Sequence, residues 1–171
     1  MTTIRPPKID IRPEQVYLGI RTLAPYSGMF NVVTKISKDL YQWIKLNSAA
    51  PAGPPFLRFH VIDMRGWMDI TYGIPVTQAL PGGGVVVCDT LPAGRYASLI
   101  YTGTGLAANK ALIEWVRASG WQFDRWDSPQ GDHFCCRYES YLTDPKVEPR
   151  KKHWDIEVAI KLAADPLSPL D

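Results

Sequence analysis

Glu139 and Tyr141 stand two residues apart in a strand-like run from His133 to Leu142. On a strand, residues i and i+2 share a face, so this carboxylate and phenol would act on the same volume. Among apolar and aromatic neighbours an ionised carboxylate is costly until a cation pairs with it, which makes it a cation selector. With its pKa raised, it becomes a proton acceptor that can activate water. Tyr141 would then orient the carboxylate or the water. The plainer alternative is a solvated strand face, where charged residues are common.

Trp67, Tyr101, Trp126 and Trp154 are candidate walls for such a site. Aromatic rings supply flat apolar surface and hold cations on their faces. Each of the four serves equally well as core. His60 falls opposite Glu139 when the two halves of the chain are aligned, so it is placed at the same seam. His133 and His153 are scattered and no two histidines stand at ligand spacing, so no metal site is expected. No Gly-x-Ser-x-Gly elbow occurs, and Cys135-Cys136 lacks a general base, which argues against nucleophilic enzymes of those kinds. The run Gly82-Gly83-Gly84 leads into strand-like Val85-Val86-Val87-Cys88 without a Gly-Lys-Ser/Thr. It reads as a joint between halves and not as a phosphate loop. No cofactor is expected.

The elements that must position these residues repeat. Val16–Leu23 reads as a strand, Tyr26-Ser27-Gly28 as a turn with Ser27 a cap, and Met29–Lys45 as a helix. Pro51-Ala52-Gly53-Pro54-Pro55 stops that helix. Strands follow over Phe56–Asp63 and Trp67–Val76, with Arg65-Gly66 in the turn between them. The order then returns. Gly94–Tyr101 is a strand, Thr104 a cap, Leu106–Ser119 a helix closed by Gly120, and His133–Leu142 and Trp154–Leu162 are strands. Ile36, Leu40, Trp43 and Ile44 overlay Ala108, Leu112, Trp115 and Val116 without gaps. Arg58-Phe59-His60 overlays Arg137-Tyr138-Glu139, and Asp69-Ile70 overlays Asp155-Ile156. The fold class expected is α+β: a tandem duplication of a β-α-β-β unit, an antiparallel sheet with two helices on one face, and a ligand pocket at the seam or on the opposite face. Trp43 and Trp115 are assigned to the core. The boundaries are a loose N-terminal lead-in over 1–15, one domain over 16–162 with repeats at about 16–80 and 91–162, and a tail over 163–171.

A chain of 171 residues suits one domain, and 46% hydrophobic with 21% charged residues is an ordinary globular balance. A formal charge of +2 is too small for a nucleic-acid groove. The densest basic run, Arg150-Lys151-Lys152-His153, follows Pro149 and reads as a solvated turn. No stretch approaches the ~20 apolar residues of a membrane span. No apolar signal core precedes Pro13, and three cysteines cannot all pair, so reduced thiols in a cytoplasmic protein are expected.

The motif Glu139-Ser140-Tyr141-Leu142-Thr143-Asp144-Pro145 precedes a last strand ending in Ile156-Glu157-Val158-Ala159-Ile160. Upstream stand Leu91-Pro92-Ala93-Gly94-Arg95-Tyr96-Ala97, the Trp115 helix and Tyr72-Gly73-Ile74-Pro75-Val76. Together, from about Val16 to Leu162, these resemble the GyrI-like effector-binding family. The resemblance implies paired β-α-β-β units about a pseudo-twofold axis, with a pocket between them for aromatic or cationic molecules. It places Glu139 and Tyr141 in that pocket. The family's histidine-started glycine turn is here Tyr101-Thr102-Gly103-Thr104-Gly105. The leading expectation is a stand-alone protein that binds or sequesters small apolar, aromatic or cationic molecules. The alternatives are a hydrolase of strained electrophiles such as cyclopropane-bearing toxins, with Glu139 as base and Tyr141 assisting, and a gyrase-inhibitor-like interaction protein. A protein partner such as gyrase or a regulator stays open. The lead-in is too short for a helix-turn-helix, so no direct nucleic-acid binding is expected, and no membrane partner either.

Overall fold

The computed structural model describes residues 1–164; most of the tail expected over 163–171 lies outside the described residues. The elements run β1 (Thr3–Ile4), β2 (Lys8–Arg12), β3 (Gln15–Pro25), α1 (Met29–Leu46), β4 (Phe56–Ile62), β5 (Trp67–Pro75), β6 (Val86–Leu91), β7 (Gly94–Thr102), α2 (Gly105–Ala118), β8 (Arg125–Ser128), β9 (Gly131–Phe134), β10 (Arg137–Tyr141) and β11 (Asp155–Lys161). The two repeats are β3-α1-β4-β5 and β7-α2-β10-β11. They join into one antiparallel sheet of order β7-β11-β10-β4-β5-β3, extended by β6 beyond β3. That order reads the same from either end, so the β4–β10 pair is the seam.

Both helices pack on one face. Each supplies the expected stripe: Ile36, Leu40 and Ile44 from α1, and Ala108, Leu112 and Val116 from α2, all buried. They meet Leu18, Ile20, Leu57, Phe59, Ile70 and Leu99 from the strands in one core. Trp43 and Trp115 are only partly buried against it. An indole at the stripe's edge is too large to fit wholly beneath the helix, which corrects their assignment as full core residues. Gly120, at φ 81°, closes α2 as expected. The α1 cap is Gly28, at φ 86°, and not Ser27.

The other face is not free. The sheet curls into a half-barrel and fills its hollow with Tyr17, Phe56, Tyr96, Tyr138 and Cys136. Tyr17 meets Phe56 edge-on at 4.9 Å, and Phe56 meets Tyr138 at 5.7 Å. Any open site at the seam must therefore lie on the helix side.

Three departures from the sequence reading have physical causes. The N-terminal lead-in is not loose, because β1 and β2 both pair along the free edge of β7. Pro6-Pro7 lack the N–H groups needed to continue the ladder, so the edge is covered in two pieces. The run from His133 to Leu142 is broken at Cys135-Cys136; β9 stays paired with β4, at Val61–His133 and Ile62–Asp132, and takes β8 on its other edge as an added hairpin within the second unit. A β-bulge falls between Phe59 and Val61. It makes His60 the extra residue and shifts the register.

Candidate functional site

The seam register defines what faces the helices. Leu57 pairs with Glu139, Arg58 with Tyr138 and Phe56 with Ser140. Leu57 belongs to the helix-side core, so Glu139 and Tyr141 share that face. Arg58 and Tyr138 belong to the hollow. The Tyr17–Phe56 contact of the first unit and the Tyr96–Tyr138 contact of the second become equivalent when the twofold axis passes through the Leu57–Glu139 pair. Leu57 is therefore the counterpart of Glu139. His60, set opposite Glu139 by the sequence alignment, lies on the other face, where its Nε2 is 2.7 Å from Thr71 Oγ1. Burial lowers the His60 pKa to about 4, with the Arg58 and Arg21 charges adding to the fall.

Two chambers open on the helix face. The first, about 550 Å³, lies over the seam between the first turns of α1 and α2. Phe59, Met68 and Tyr101 form its floor and walls, and Glu139 and Arg137 form its polar end. The second, about 820 Å³, runs beside α1 and is lined by Tyr72, Tyr141 and Trp154. Phe30 and Lys151 line both chambers. Of the residues expected at the site, Tyr101 and Glu139 meet in the first chamber, and Tyr141 and Trp154 in the second. Trp67 and Trp126 line neither. Trp67 is exposed on the face turned from the helices, and Trp126 stacks on His133 at 5.1 Å.

Glu139 is enclosed by protein yet keeps accessible surface, as a side chain lining a cavity does. Burial pushes its pKa above the ordinary carboxylate range. The charges of Lys151 and Arg137, and hydrogen bonding with Asn109 and Tyr101, pull it partly back. Among the described residues neither cation forms a contact ion pair with it. Arg137 donates to Asn109 Oδ1 at 2.6 Å, and its guanidinium lies 4.8 Å from the Phe134 ring centroid. Burial lowers the Arg137 pKa to about 10. A Cβ on Gly105 would stand 2.8 Å from the Tyr101 hydroxyl and 3.6 Å from Glu139 Oε1. Glycine at the start of α2 thus makes room for this corner.

Tyr141 is buried, and among the described residues its hydroxyl has no hydrogen-bond partner. Its ring meets Trp154 edge-on at 6.0 Å. Trp154 Nε1 donates to the Glu148 carbonyl at 2.6 Å. The far wall of the first chamber is held by the N-terminus: Thr104 N donates to Thr2 Oγ1 at 3.1 Å, capping α2 from outside the helix. Sequence reasoning did not find Arg137, Asn109, Phe30 or Lys151. In the sequence Arg137 stands out only as a repeat landmark, and Lys151 is hidden in a basic run that looks solvated. Among the described residues no group of three metal-ligating side chains occurs, and no helix is long and apolar enough to cross a membrane. The three cysteines are unpaired.

Several solved structures share this architecture. The C-terminal domain of EcmrR superposes with a TM-score of 0.73 at 17% identity, over 94% of this chain and 98% of that one. The chain shares the fold of that domain. In the EcmrR–DNA complex the match covers 57% of the EcmrR chain, so this chain spans little more than half of that protein. A hydrolase from Listeria innocua matches with a TM-score of 0.59 at 13% identity, over 92% and 91% of the two chains. SAV2435 bound to tetraphenylphosphonium matches with a TM-score of 0.56 at 9% identity, over 94% and 95%. No family model and no curated protein matches the chain. At these identities the shared property is the fold.

Ionised Glu139 costs this fold stability. Because its pKa is higher in the folded state than in the unfolded chain, the folded state binds its proton more tightly. Stability is therefore lost as pH rises from about 4.5, the ordinary glutamate value, through the raised one. Glu139→Gln removes that loss. Thermal melts should show the variant more stable than wild type at pH 7 and level with it near pH 4.

Proposed function

We propose that this protein binds small aromatic molecules, cations by preference, in the helix-side cavity with Glu139 as the charge-reading group. The observation that carries the reading is a carboxylate enclosed, beside Arg137, at the polar end of a chamber whose other walls are mainly aromatic, methionine and aliphatic side chains. A chamber of this size holds a drug-sized ligand. The tetraphenylphosphonium complex of SAV2435 supports the same ligand class on the same fold.

Methyltriphenylphosphonium and triphenylphosphine oxide are nearly the same shape, and only the first is charged. Isothermal titration should give the cation the tighter binding to wild type, by about tenfold or more, the scale of a charge-assisted contact. Glu139→Gln should bring the two ligands to equal affinity. Cation affinity should also fall as pH drops through the raised Glu139 pKa, while the neutral ligand is unmoved. Lys151, Arg137, Tyr101 and Tyr141 are the other titratable groups near Glu139, and none of them gains a proton in the acid range. Equal affinities in wild type that persist when the Lys151 charge is removed would end the proposal.

One observation favours a second reading. A carboxylate with a raised pKa, beside the Tyr101 hydroxyl, is equipped to take a proton from water that attacks an electrophilic ligand. The water would lose a proton to Glu139 as its oxygen bonds to the electrophilic carbon, and the displaced electron pair would be stabilised by a phenol. Incubation with cyclopropane-bearing electrophiles, followed by mass spectrometry, separates an enzyme from a binder. Turnover untouched by Glu139→Gln would remove this residue from the chemistry. A gyrase-directed role is tested separately, by whether the purified protein inhibits supercoiling.

A further inference from the structure

Residues 142–154 connect β10 to β11, and most of them are exposed. Lys151 is an exception. Its Nζ stands 3.3 Å from the centroid of the Phe30 ring and 5.7 Å from that of Tyr141. Among the described residues it has no ion-pair partner. The ammonium is held by two aromatic faces and by the field of Glu139. Those are the forces that would hold the charged centre of an aromatic-bound ligand. The cavity thus already contains a cation, one that belongs to the chain itself. Because Phe30 and Lys151 line both chambers, this side chain is also part of the partition between them.

We propose that Lys151 is a tethered cation occupying the ligand's subsite, and that a cationic ligand binds by displacing it and opening the first chamber into the second. The inference rests on reading the cavity as a cation site, and it adds which group the ligand must compete with.

The connection is built to move as a piece. The Val147 and Glu148 amides donate to the Asp144 carbonyl, and the His153 amide to the Arg150 carbonyl. The Arg150 guanidinium is held by the Glu148 carboxylate. These bonds close within the segment, so lifting it breaks few of them. A displaced ammonium regains its hydration, which offsets the loss of the aromatic contact. A site that is filled by its own lysine binds an outside cation only to the extent that the lysine is out, so the apparent affinity is lowered by that occupancy. Removing the charge while keeping a stem of similar length should release this restraint for cations alone.

The test uses the full chain, Lys151→Met, methyltriphenylphosphonium and triphenylphosphine oxide. Titration should show the variant binding the cation about tenfold tighter than wild type does, with the neutral oxide unchanged. In wild type, saturation with the cation should speed acetylation of Lys151 by an N-hydroxysuccinimide ester several-fold, read by peptide mass mapping against Lys146 as internal control. A wild type without cation preference, alongside a variant that gains one, would also bear the proposal out. Equal tightening for both ligands would make Lys151 a steric plug and overturn the charge claim. A variant that binds the cation no tighter, while wild type prefers it, would overturn the inference and leave the cation site standing. Absence of cation preference in both proteins would sink the two together.

Discussion

Alanine in place of Leu112 is expected to destabilise the protein by about 2–5 kcal/mol, and Leu40→Ala by a similar amount. Both side chains are fully buried at the centre of their helix stripes, against the same sheet. Each truncation removes methyl groups from a close-packed core and leaves a void that the sheet beneath cannot collapse to fill. Urea unfolding should show a lower midpoint with an unchanged slope. Because the two leucines overlay in the two repeats, near-equal losses would follow from equivalent packing. Trp43→Ala and Trp115→Ala should each cost less than the leucine changes, since both indoles already keep part of their surface in water. A Leu112→Ala cost below about 0.5 kcal/mol, the scale of a surface change, would show that α2 does not pack as described.

Arg58→Met is the second large effect, at about 2–4 kcal/mol. Arg58 lies buried in the hollow of the half-barrel, on the seam. Its guanidinium donates to the Thr90 carbonyl at 3.0 Å, the Cys135 carbonyl at 2.9 Å and the Tyr17 hydroxyl at 3.1 Å. None of these partners is charged, and among the described residues its Nε has none. Methionine would leave the carbonyls without their donor, at about 1–3 kcal/mol each. The released desolvation penalty of the guanidinium offsets part of that. Thr90 belongs to β6 and Cys135 to the corner between β9 and β10, so one side chain ties two distant segments to the seam. Lysine keeps the charge but lacks the planar fork, so Arg58→Lys should not recover the loss. A methionine variant as stable as wild type, by urea midpoint, would show that these bonds add nothing net.

Much of this was legible in the chain because it repeats locally. The helix stripes declare themselves by period, and the Leu-x-x-Trp overlay aligned α1 with α2 correctly. The strands β3, β5 and β11 carry apolar runs of the right length. What escaped depends on partners far away in sequence. The proline-rich N-terminus forms strands only because β7 offers it an edge. At the seam the repeat alignment is out by three residues, and any odd slip carries a side chain to the opposite face. That slip put His60 opposite Glu139 in place of Leu57. Lys151 sits among Arg150, Lys152 and His153, all exposed. Nothing in such a run marks the one residue that turns inward. Glu139 was placed by its strand motif and a family resemblance together; the motif alone left the solvated face open.

The twofold relation between the repeats holds for the backbone and fails at one pair of side chains. Where the second unit offers Glu139 to the first chamber, the first unit has Leu57, sealed in the core. Two identical half-sites would accept an elongated guest either way round with equal ease. Here the two orientations differ by the placement of one charge, so a guest with a single positive end has one favoured direction. A duplicated fold, indifferent to head and tail by construction, acquires polarity from a carboxylate standing across from a leucine.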